Sequence, residues 1–247
     1  MTTILASAAS GMVYGQNVMD VVGNNLANVN TFGFKKSRTV AEGRPDALAT
    51  ADTMRMGVAD TTQDMIFSAA APQATGEPLH FAIQDDTFFR ISDVDGSTAY
   101  TRVGALAVDS AGNIAAPGGR LLQPPISLAQ GLSNPAIGWN GEVTATDAQG
   151  VAQTIGQLSL IRFTNPAGLL AIGGGLYRET ANTGMPTEGT PGSVGFAQLT
   201  TGALEGSNVE VAEEFTNMII AQRAYQASAK TFSVGDEMLA VATNLTR

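Results

Sequence analysis

Apolar residues recur every seven positions near both ends of the chain, and most of the sequence lies between the two patterns. The N-terminal pattern consists of Leu5, Met12, Met19 and Leu26, each followed three residues later by Ala8, Gly15, Val22 or Val29. The C-terminal pattern consists of Leu204, Val211, Met218, Tyr225, Phe232 and Leu239. This spacing is typical of a helix that packs along a narrow seam against another helix. Because neither helix can bury its stripe alone, we expect the two chain ends to meet in one domain.

The first helix is predicted to begin at Thr2 or Thr3 and to end near Asn28. It contains three glycines, each of which costs about 1 kcal/mol relative to alanine: Gly11, Gly15 and Gly23. We therefore expect the isolated helix to be mostly unfolded and to need a stabilising contact from outside. Ser7, Gly11 and Gly15 lie four residues apart, so they are either a flat strip for a second helix backbone or simply small core positions.

The second helix is predicted to begin at Ser207, because Ser207 and Glu210 have the spacing of a capping box. Glu213 and Glu214 place negative charge where the helix dipole is positive. Its seam is predicted to contain Phe215, Met218, Ile219, Tyr225 and Phe232.

Short runs with β propensity, separated by turn residues, fill the middle of the chain. The clearest are His80 to Ile83, Phe88 to Ser92, Ala99 to Arg102, Leu106 to Val108, Ala136 to Trp139, Glu142 to Thr146, Leu158 to Phe163 and Leu176 to Thr180. Asn140-Gly141 separates two of these runs and favours a type I′ hairpin turn. The pattern predicts a mostly antiparallel β domain.

Together these patterns predict an α+β fold, in which terminal helices form a discontinuous coiled-coil domain and a mostly antiparallel β domain is inserted between them. We expect the N-terminal helix within residues 1–38, the β domain in 79–203 and the C-terminal helix in 204–247. Residues 39–78 have no clear periodicity and contain several prolines, so they are predicted to form an extended or partly helical connector.

Composition narrows the class of function. Only 14% of the residues are charged, whereas about 25% is usual, and this fits a protein packed against copies or partners as well as an alanine-rich genome. A net charge of −9 argues against binding to nucleic acid or anionic lipid, both of which need a basic face. The first basic residue is Lys35, so we expect no cleavable signal peptide of the usual design. No apolar run reaches the length of about 18 residues that membrane insertion needs.

Residues that could carry chemistry are few and scattered. The chain has no cysteine and one histidine, His80, which together exclude the common zinc sites. Asp93, Asp95 and Gly96 resemble the start of a calcium loop, but Arg102 stands where the bidentate glutamate is needed. Asp85 and Asp86 are adjacent, so in a strand they would point to opposite faces. We therefore predict no catalytic, cofactor or metal site.

One basic cluster follows the first helix and contains Lys35, Lys36, Arg38 and Arg44. Two interpretations stay open for it. The cluster is either a solvated loop or a contact with an acidic neighbour.

Two motifs carry a family resemblance. Residues 24–35, which read NNLANVNTFGFK and include Asn24, Asn25, Leu26, Asn28, Gly33 and Phe34, resemble the N-terminal signature of the bacterial flagellar rod and hook proteins. Residues 204–209, which read LEGSNV and include Ser207 and Asn208, are similar to the matching C-terminal signature, as are Glu213, Met218, Ile219, Gln222, Arg223, Ala224 and Tyr225 downstream. Phe81 to Phe89 and Tyr100 to Gly104 also resemble the β-domain segments of this family.

The resemblance implies a structural subunit that is exported unfolded through the flagellar secretion apparatus and folds as it joins a helical tube in the basal body. Its implied partners are copies of itself, other rod subunits, hook or hook-adjacent proteins and the export apparatus, with surrounding ring proteins left open. In this picture the terminal helices form the inner wall of the tube, and the residues of both motifs and seams, including Val211, Phe215 and Phe232, serve assembly.

Length favours a rod subunit over a hook protein, because residues 79–200 leave room for only one β domain. The run VEVAEE at 209–214 with QRAY at 222–225 is most similar to the distal rod protein. The sequence departs from this pattern at Asp85-Asp86-Thr87, where relatives usually have a glycine-containing turn, and in a short connector. The proximal rod protein therefore stays an alternative.

Two hypotheses from other classes are also kept. One is a secreted binding module in which the terminal helices form an ordinary dimeric coiled coil. The other, and the least favoured, is a glycan-acting enzyme that uses Asp85, Asp86 or Asp95.

Overall fold

A computed structural model describes residues 2–44, 57–93 and 95–245 of the 247-residue chain. Helix α1 spans Thr2–Ala27 and helix α2 spans Val211–Leu245. The strands between them are β1 (Ser37–Arg44), β2 (Gly57–Met65), β3 (Pro72–Ala74), β4 (Phe81–Ile83), β5 (Thr87–Ser92), β6 (Thr98–Thr101), β7 (Ala107–Val108), β8 (Ile114–Ala116), β9 (Arg120–Leu122), β10 (Ser133–Ile137), β11 (Glu142–Thr146), β12 (Ala152–Gln157), β13 (Leu160–Arg162), β14 (Leu170–Gly173), β15 (Leu176–Arg178), β16 (Thr187–Gly189), β17 (Leu199–Thr201) and β18 (Ala203–Glu205). The α+β class predicted from the sequence is confirmed.

The chain divides into two compact units. Unit 1 consists of Met1–Val29, Lys36–Ile66 and Val209–Arg247. Unit 2 consists of Asn30–Lys35 and Phe67–Asn208. Both units are therefore built from chain segments that are far apart in the sequence.

In unit 1 the two helices pack antiparallel, and glycines mark where they approach most closely. A Cβ atom at position 15 would lie 3.3 Å from the Tyr225 Cβ and 3.5 Å from the Ala221 carbonyl oxygen. The same holds at Gly11, where an added Cβ would lie 2.8 Å from the Ser228 Oγ. Gly11 and Gly15 are thus close-approach positions for α2, whereas Ser7, the third residue of the predicted strip, is exposed.

The seam of α1 lies where the seven-residue pattern predicts it. Ala8, Gly15 and Val22 are buried, and Leu5, Met12, Met19 and Leu26 are half-buried.

The seam of α2 differs from the prediction in two respects. The helix begins at Val211, so Leu204 lies in β18, and Ser207 is four residues before the first helical residue. The predicted positions Met218, Tyr225 and Leu239 are half-buried, but the prediction is wrong for Val211, Phe215, Ile219 and Phe232, which are exposed. The other side of the seam consists of small or polar residues that a search for apolar repeats misses: Glu214, Ala221 and Gly235 are buried, and Ser228 is half-buried.

Residues 39–78, predicted as an extended or partly helical connector, contain paired strands. β1 and β2 pair antiparallel from Ser37↔Met65 to Arg44↔Gly57, and β3 pairs with β18. Polar residues and glycine make up most of β1 and β2, so neither strand has the apolar alternation of a half-buried strand.

Unit 2 contains the remaining sheets, and all its strand pairs in the described residues are antiparallel. A nine-stranded sheet has the order β14-β15-β6-β5-β9-β8-β7, with β13 bridging β5 and β16. A three-stranded sheet has the order β10-β11-β12, and β17 and β18 pair with β4 and β3. This agrees with the predicted mostly antiparallel β domain.

Strand β5 is buried on both faces, because side chains alternate along a strand. Phe89 points into the main hydrophobic core and packs against Phe81, with ring centroids 5.2 Å apart. Phe88 points to the opposite face, where its ring makes edge contacts with three other aromatic rings. The ring centroids are 5.4 Å apart for Phe67, 5.6 Å for Tyr177 and below 6 Å for Phe163.

The Asn140-Gly141 dipeptide joins β10 and β11 as predicted, but the turn is not type I′. Gly141 has a φ of +77°, whereas Asn140 has a negative φ. The Gly141 N–H donates to the Gly138 carbonyl at 2.9 Å, and the Gly138 N–H donates to the Glu142 carbonyl at 2.8 Å. This is the pattern of a three-residue hairpin loop with glycine in the left-handed bulge position.

The helix contact yields a matched prediction. Gly15→Leu places a large side chain against Tyr225, whereas Gly23→Leu enters open space, since no atom lies within 4 Å of a Cβ at position 23. Leucine is a better helix former than glycine at both positions. We expect Gly23→Leu to raise the helix content and thermal midpoint of unit 1, and Gly15→Leu to lower both. Circular dichroism at 222 nm measures this; equal gains for both variants would contradict the packing.

Candidate functional site

Helix α2 carries apolar residues on its exposed sides. Val211, Phe215 and Ile219, four residues apart, form a first stripe near its start, and 58% of Ile219 is exposed. A second stripe repeats every seven residues through Ile220, Ala227, Val234 and Val241, with Met238 beside it. Ile220 and Val241 are 62% and 59% exposed.

These stripes are a candidate interaction surface. Single exposed apolar residues are normal on a protein, but a heptad row on a helix is the pattern that a second helix covers. A helix that is apolar on several sides is usually surrounded by other elements. Three residues predicted to serve assembly, Val211, Phe215 and Phe232, are exposed on α2 and so are available for contacts with another chain.

A cleft of about 380 Å³ lies beside the second stripe, between α1, β1 and α2. Val18, Val22 and Ile220 line its apolar part. Thr39 Oγ1, in the same lining, is buried and has no hydrogen-bond partner among the described residues.

Asn25, predicted as an assembly residue, is buried at the end of this cleft. Its Oδ1 accepts from the Ser37 N–H at 3.0 Å, and its Nδ2 donates to the Ser37 carbonyl at 2.8 Å and to Glu214 Oε2 at 3.3 Å. Asn25 therefore ties the first residue of β1 to both helices within unit 1. Its neighbour Asn24 is exposed, and Leu26 is half-buried in the seam.

The basic cluster contacts acidic residues of the same chain. Lys36 pairs with Glu213 at 2.7 Å and Arg38 with Asp64 at 2.9 Å, both in unit 1. Lys35 pairs with Glu205 at 2.6 Å in unit 2. These three residues therefore pair with carboxylates of the same chain, and the Arg44 side chain lies outside the described part of the chain.

Glu205 is the centre of a buried ion cluster in unit 2. It is 1% exposed, and its two partners, Lys35 and Arg102, are also fully buried. Arg102 Nε donates to Glu205 Oε2 and Arg102 Nη2 to Oε1, both at 3.0 Å, which is a bidentate pair. The Ala70 N–H donates the fourth hydrogen bond of the carboxylate, to Oε1 at 3.2 Å.

Both cations have further acceptors. Lys35 Nζ donates to the Ser68 carbonyl at 2.7 Å. Arg102 Nη1 donates to the Asp85 carbonyl at 2.7 Å and to the Thr87 carbonyl at 3.0 Å. Burial lowers the pKa of Lys35, and the nearby Arg102 charge lowers it further, while Glu205 opposes both effects. One carboxylate therefore binds two basic side chains in the interior of unit 2.

The two sequence motifs meet around this cluster. Gly33, which has a φ of +69°, donates its N–H to the Glu205 carbonyl at 2.8 Å. Asn208 Nδ2 donates to Ser68 Oγ at 3.1 Å. Phe34 and Ser207 are half-buried, as is Asn28, which caps the end of α1 through the Asn24 carbonyl at 2.9 Å. Glu205, Lys35 and Arg102 were absent from the predicted site residues, although all three lie inside the motifs that carried the resemblance.

Two of the acidic residues considered for catalysis, Asp85 and Asp95, have structural partners. Asp85 Oδ2 pairs with Arg162 at 2.8 Å and accepts the Ala197 N–H at 3.0 Å. Asp95 accepts from the Ser97 hydroxyl and N–H in a turn, and these hydrogen bonds lower its pKa. Among the described residues no group of three or more acidic or histidine side chains is arranged to hold a metal ion.

No helix in the described part of the chain is long and apolar enough to cross a membrane.

Comparison with known proteins matches three family models along the chain. Residues 5–35 match the model described as flagella basal body rod protein, and residues 82–145 match the flagellar hook protein FlgE/F/G D1 domain. Residues 200–245 match the flagellar basal body rod FlgEFG protein C-terminal model. The three matches cover both motifs and part of unit 2.

Relatives align with the chain from end to end. The flagellar basal-body rod protein FlgG of Bacillus subtilis is 39% identical over 100% of both chains. FlgG of Borreliella burgdorferi is 38% identical, again over 100% of both. FlgG of Caulobacter vibrioides is 35% identical over 98% of both.

The ion cluster leads to a second prediction. Glu205→Gln leaves Lys35 and Arg102 buried without a counter-charge, and breaking a buried pair in this way costs about 3 to 5 kcal/mol. The control is Glu188→Gln, which removes the half-exposed partner of Arg90 at 3.0 Å and should cost less than about 1 kcal/mol. Guanidinium unfolding followed by near-ultraviolet circular dichroism measures both; similar midpoints for the two variants would mean that the cluster contributes little.

Proposed function

The chain belongs to the bacterial flagellar rod and hook protein family as a structural protein of the basal-body rod, and we propose that it forms the distal part of that rod by polymerising through its terminal helices. The observation that carries the proposal is the pair of apolar stripes on α2, which unit 1 leaves exposed. Covering a large apolar side chain contributes about 1.5 to 3 kcal/mol, so a helical lattice of copies would add substantial stability.

The distal position is supported by relatives aligned over their full length that carry the name of the distal rod protein. The proximal rod is the alternative position within the same family.

The composition of α1 supports assembly-coupled ordering. Its three glycines weaken the helix, and its seam is only half-buried at Leu5, Met12, Met19 and Leu26. A helix of this kind gains its remaining burial from neighbours. The proposed product is a tube whose inner wall is made of α1 and α2 and lines the export channel.

The proposal includes export of the chain in an unfolded state through the flagellar secretion apparatus. The absence of cysteine supports it weakly, because no disulfide can form before export. Contacts with adjoining rod subunits, the hook and surrounding ring proteins complete the proposed set of partners.

We also propose a purely structural role without catalysis. Two candidate catalytic carboxylates have structural contacts: Asp85 forms an ion pair, and Asp95 accepts hydrogen bonds within a turn. Torque transmission needs lateral and axial contacts between subunits, which the stripes on α2 can supply.

One genetic experiment tests both the position and the surface. In a strain that lacks its own copy of this subunit, isolated basal bodies should end at the proximal rod, and the wild-type chain should restore the distal rod and motility. A variant with Ile220, Val234 and Val241 changed to Gln should be exported and keep the circular dichroism spectrum of unit 2, yet leave the rod truncated. Its control carries Gln at Leu170 and Ile172, exposed apolar residues of β14 in unit 2.

Arrest before any rod forms would place the chain in the proximal rod. Normal rods built from the stripe variant would contradict the proposed surface.

A further inference from the structure

The chain segments that enter and leave unit 2 are gathered around Glu205. Unit 2 begins and ends at residues 30, 35, 67 and 208, and each of these is near the buried ion cluster in sequence. On the N-terminal side, Gly33 and Lys35 bond to the backbone and side chain of Glu205. On the side of residue 67, Ala70 donates to the Glu205 carboxylate.

Other bonds fasten these segments to each other. Lys35 Nζ donates to the Ser68 carbonyl at 2.7 Å, and Asn208 Nδ2 donates to Ser68 Oγ at 3.1 Å. The Gly206 N–H donates to the Ala71 carbonyl at 3.2 Å. The ends of unit 2 are therefore held to one another, not only to the sheets.

Arg102 connects this junction to the interior. Its guanidinium holds Glu205 with two nitrogens and the carbonyls of Asp85 and Thr87 with the third. It also lies over the Phe88 ring at 5.6 Å from the centroid. Phe88 belongs to the aromatic cluster with Phe67 and Tyr177. A continuous path of short contacts thus runs from the ends of unit 2 through Glu205 into β5.

We propose that the Glu205 cluster is a mechanical clamp, which receives force that reaches unit 2 through its chain connections and passes it to the sheets. This role rests on the proposed function, because a rod subunit carries torque. Charge-assisted hydrogen bonds are short and strong in a medium of low dielectric constant, so they yield little before they break. A clamp resists force that is applied through the chain ends of unit 2 more than force that is applied elsewhere on the unit. A cluster that only stabilised the fold would resist both equally.

Single-molecule force spectroscopy on the full chain can test this direction dependence. The chain has no cysteine, so introduced cysteines are unique attachment points. One pair, Asn30→Cys with Glu210→Cys, applies load through the connections. The second pair, Gln149→Cys with Ala171→Cys, applies load across unit 2 at exposed residues outside the cluster.

At equal load we expect unit 2 of the wild type to unfold at least about tenfold more slowly along the first axis than along the second. Glu205→Gln should remove this difference, because forced unfolding reports the unfolding rate and the clamp bonds are loaded only along the first axis. Glu205→Asp keeps the charge on a shorter side chain and should retain part of the difference. Glu188→Gln, the control, should retain all of it.

Equal unfolding rates along both axes in the wild type would overturn the proposal, and so would a Glu205→Gln variant that weakens both axes by the same factor. The wild-type comparison decides the matter even if Glu205→Gln fails to fold. A chain that completes the distal rod, but whose unit 2 unfolds at the same rate along both axes, would overturn the clamp and leave the proposed function intact.

Discussion

A single buried carboxylate, that of Glu205, is the constraint on which unit 2 depends. Two cations cannot stay charged in a protein interior without a counter-charge, and Lys35 and Arg102 are separated from Glu205 by 170 and 103 residues of sequence. The carboxylate must therefore hold the first and last segments of unit 2 in place together. The pairing of β18 with β3 and the hydrogen bond from the Gly33 N–H to the Glu205 carbonyl hold the same chain segments together. The ends of this discontinuous unit therefore share one buried carboxylate.

Unit 1 has the opposite character, since its packing is incomplete within one chain. Small residues let α1 and α2 approach closely, and Asn25 fixes the start of β1 against both helices. The outer sides of α2 keep two apolar stripes exposed. Unit 2 is thus closed within one chain, whereas the helices of unit 1 keep apolar faces uncovered. This contrast fits the proposed subunit, in which the β part folds alone and the helices complete their packing in an assembly.

The sequence predicted the elements with regular patterns and missed those that depend on distant contacts. The seam of α1 and the strands around Phe88 and Phe89 were recognised from their spacing. The hairpin of β1 and β2 was missed because polar residues and glycine make up most of both strands, and their pairing is set by a partner segment. Half of the α2 seam was missed because Glu214, Ser228 and Gly235 are not apolar. The pairing of Lys35 with Glu205 could not be predicted, since no local pattern identifies which carboxylate meets which cation after folding.

The central claim is that the helices of unit 1 become fully ordered only when copies cover them, whereas unit 2 is closed within one chain. Hydrogen exchange measured by mass spectrometry on the purified monomer and on assembled rods tests it most directly. Peptides from α1 and α2 should exchange rapidly in the monomer and slowly in the rod, while peptides around Lys35, Arg102 and Glu205 should be protected in both. Helices that are as protected in the monomer as in the rod would contradict the account.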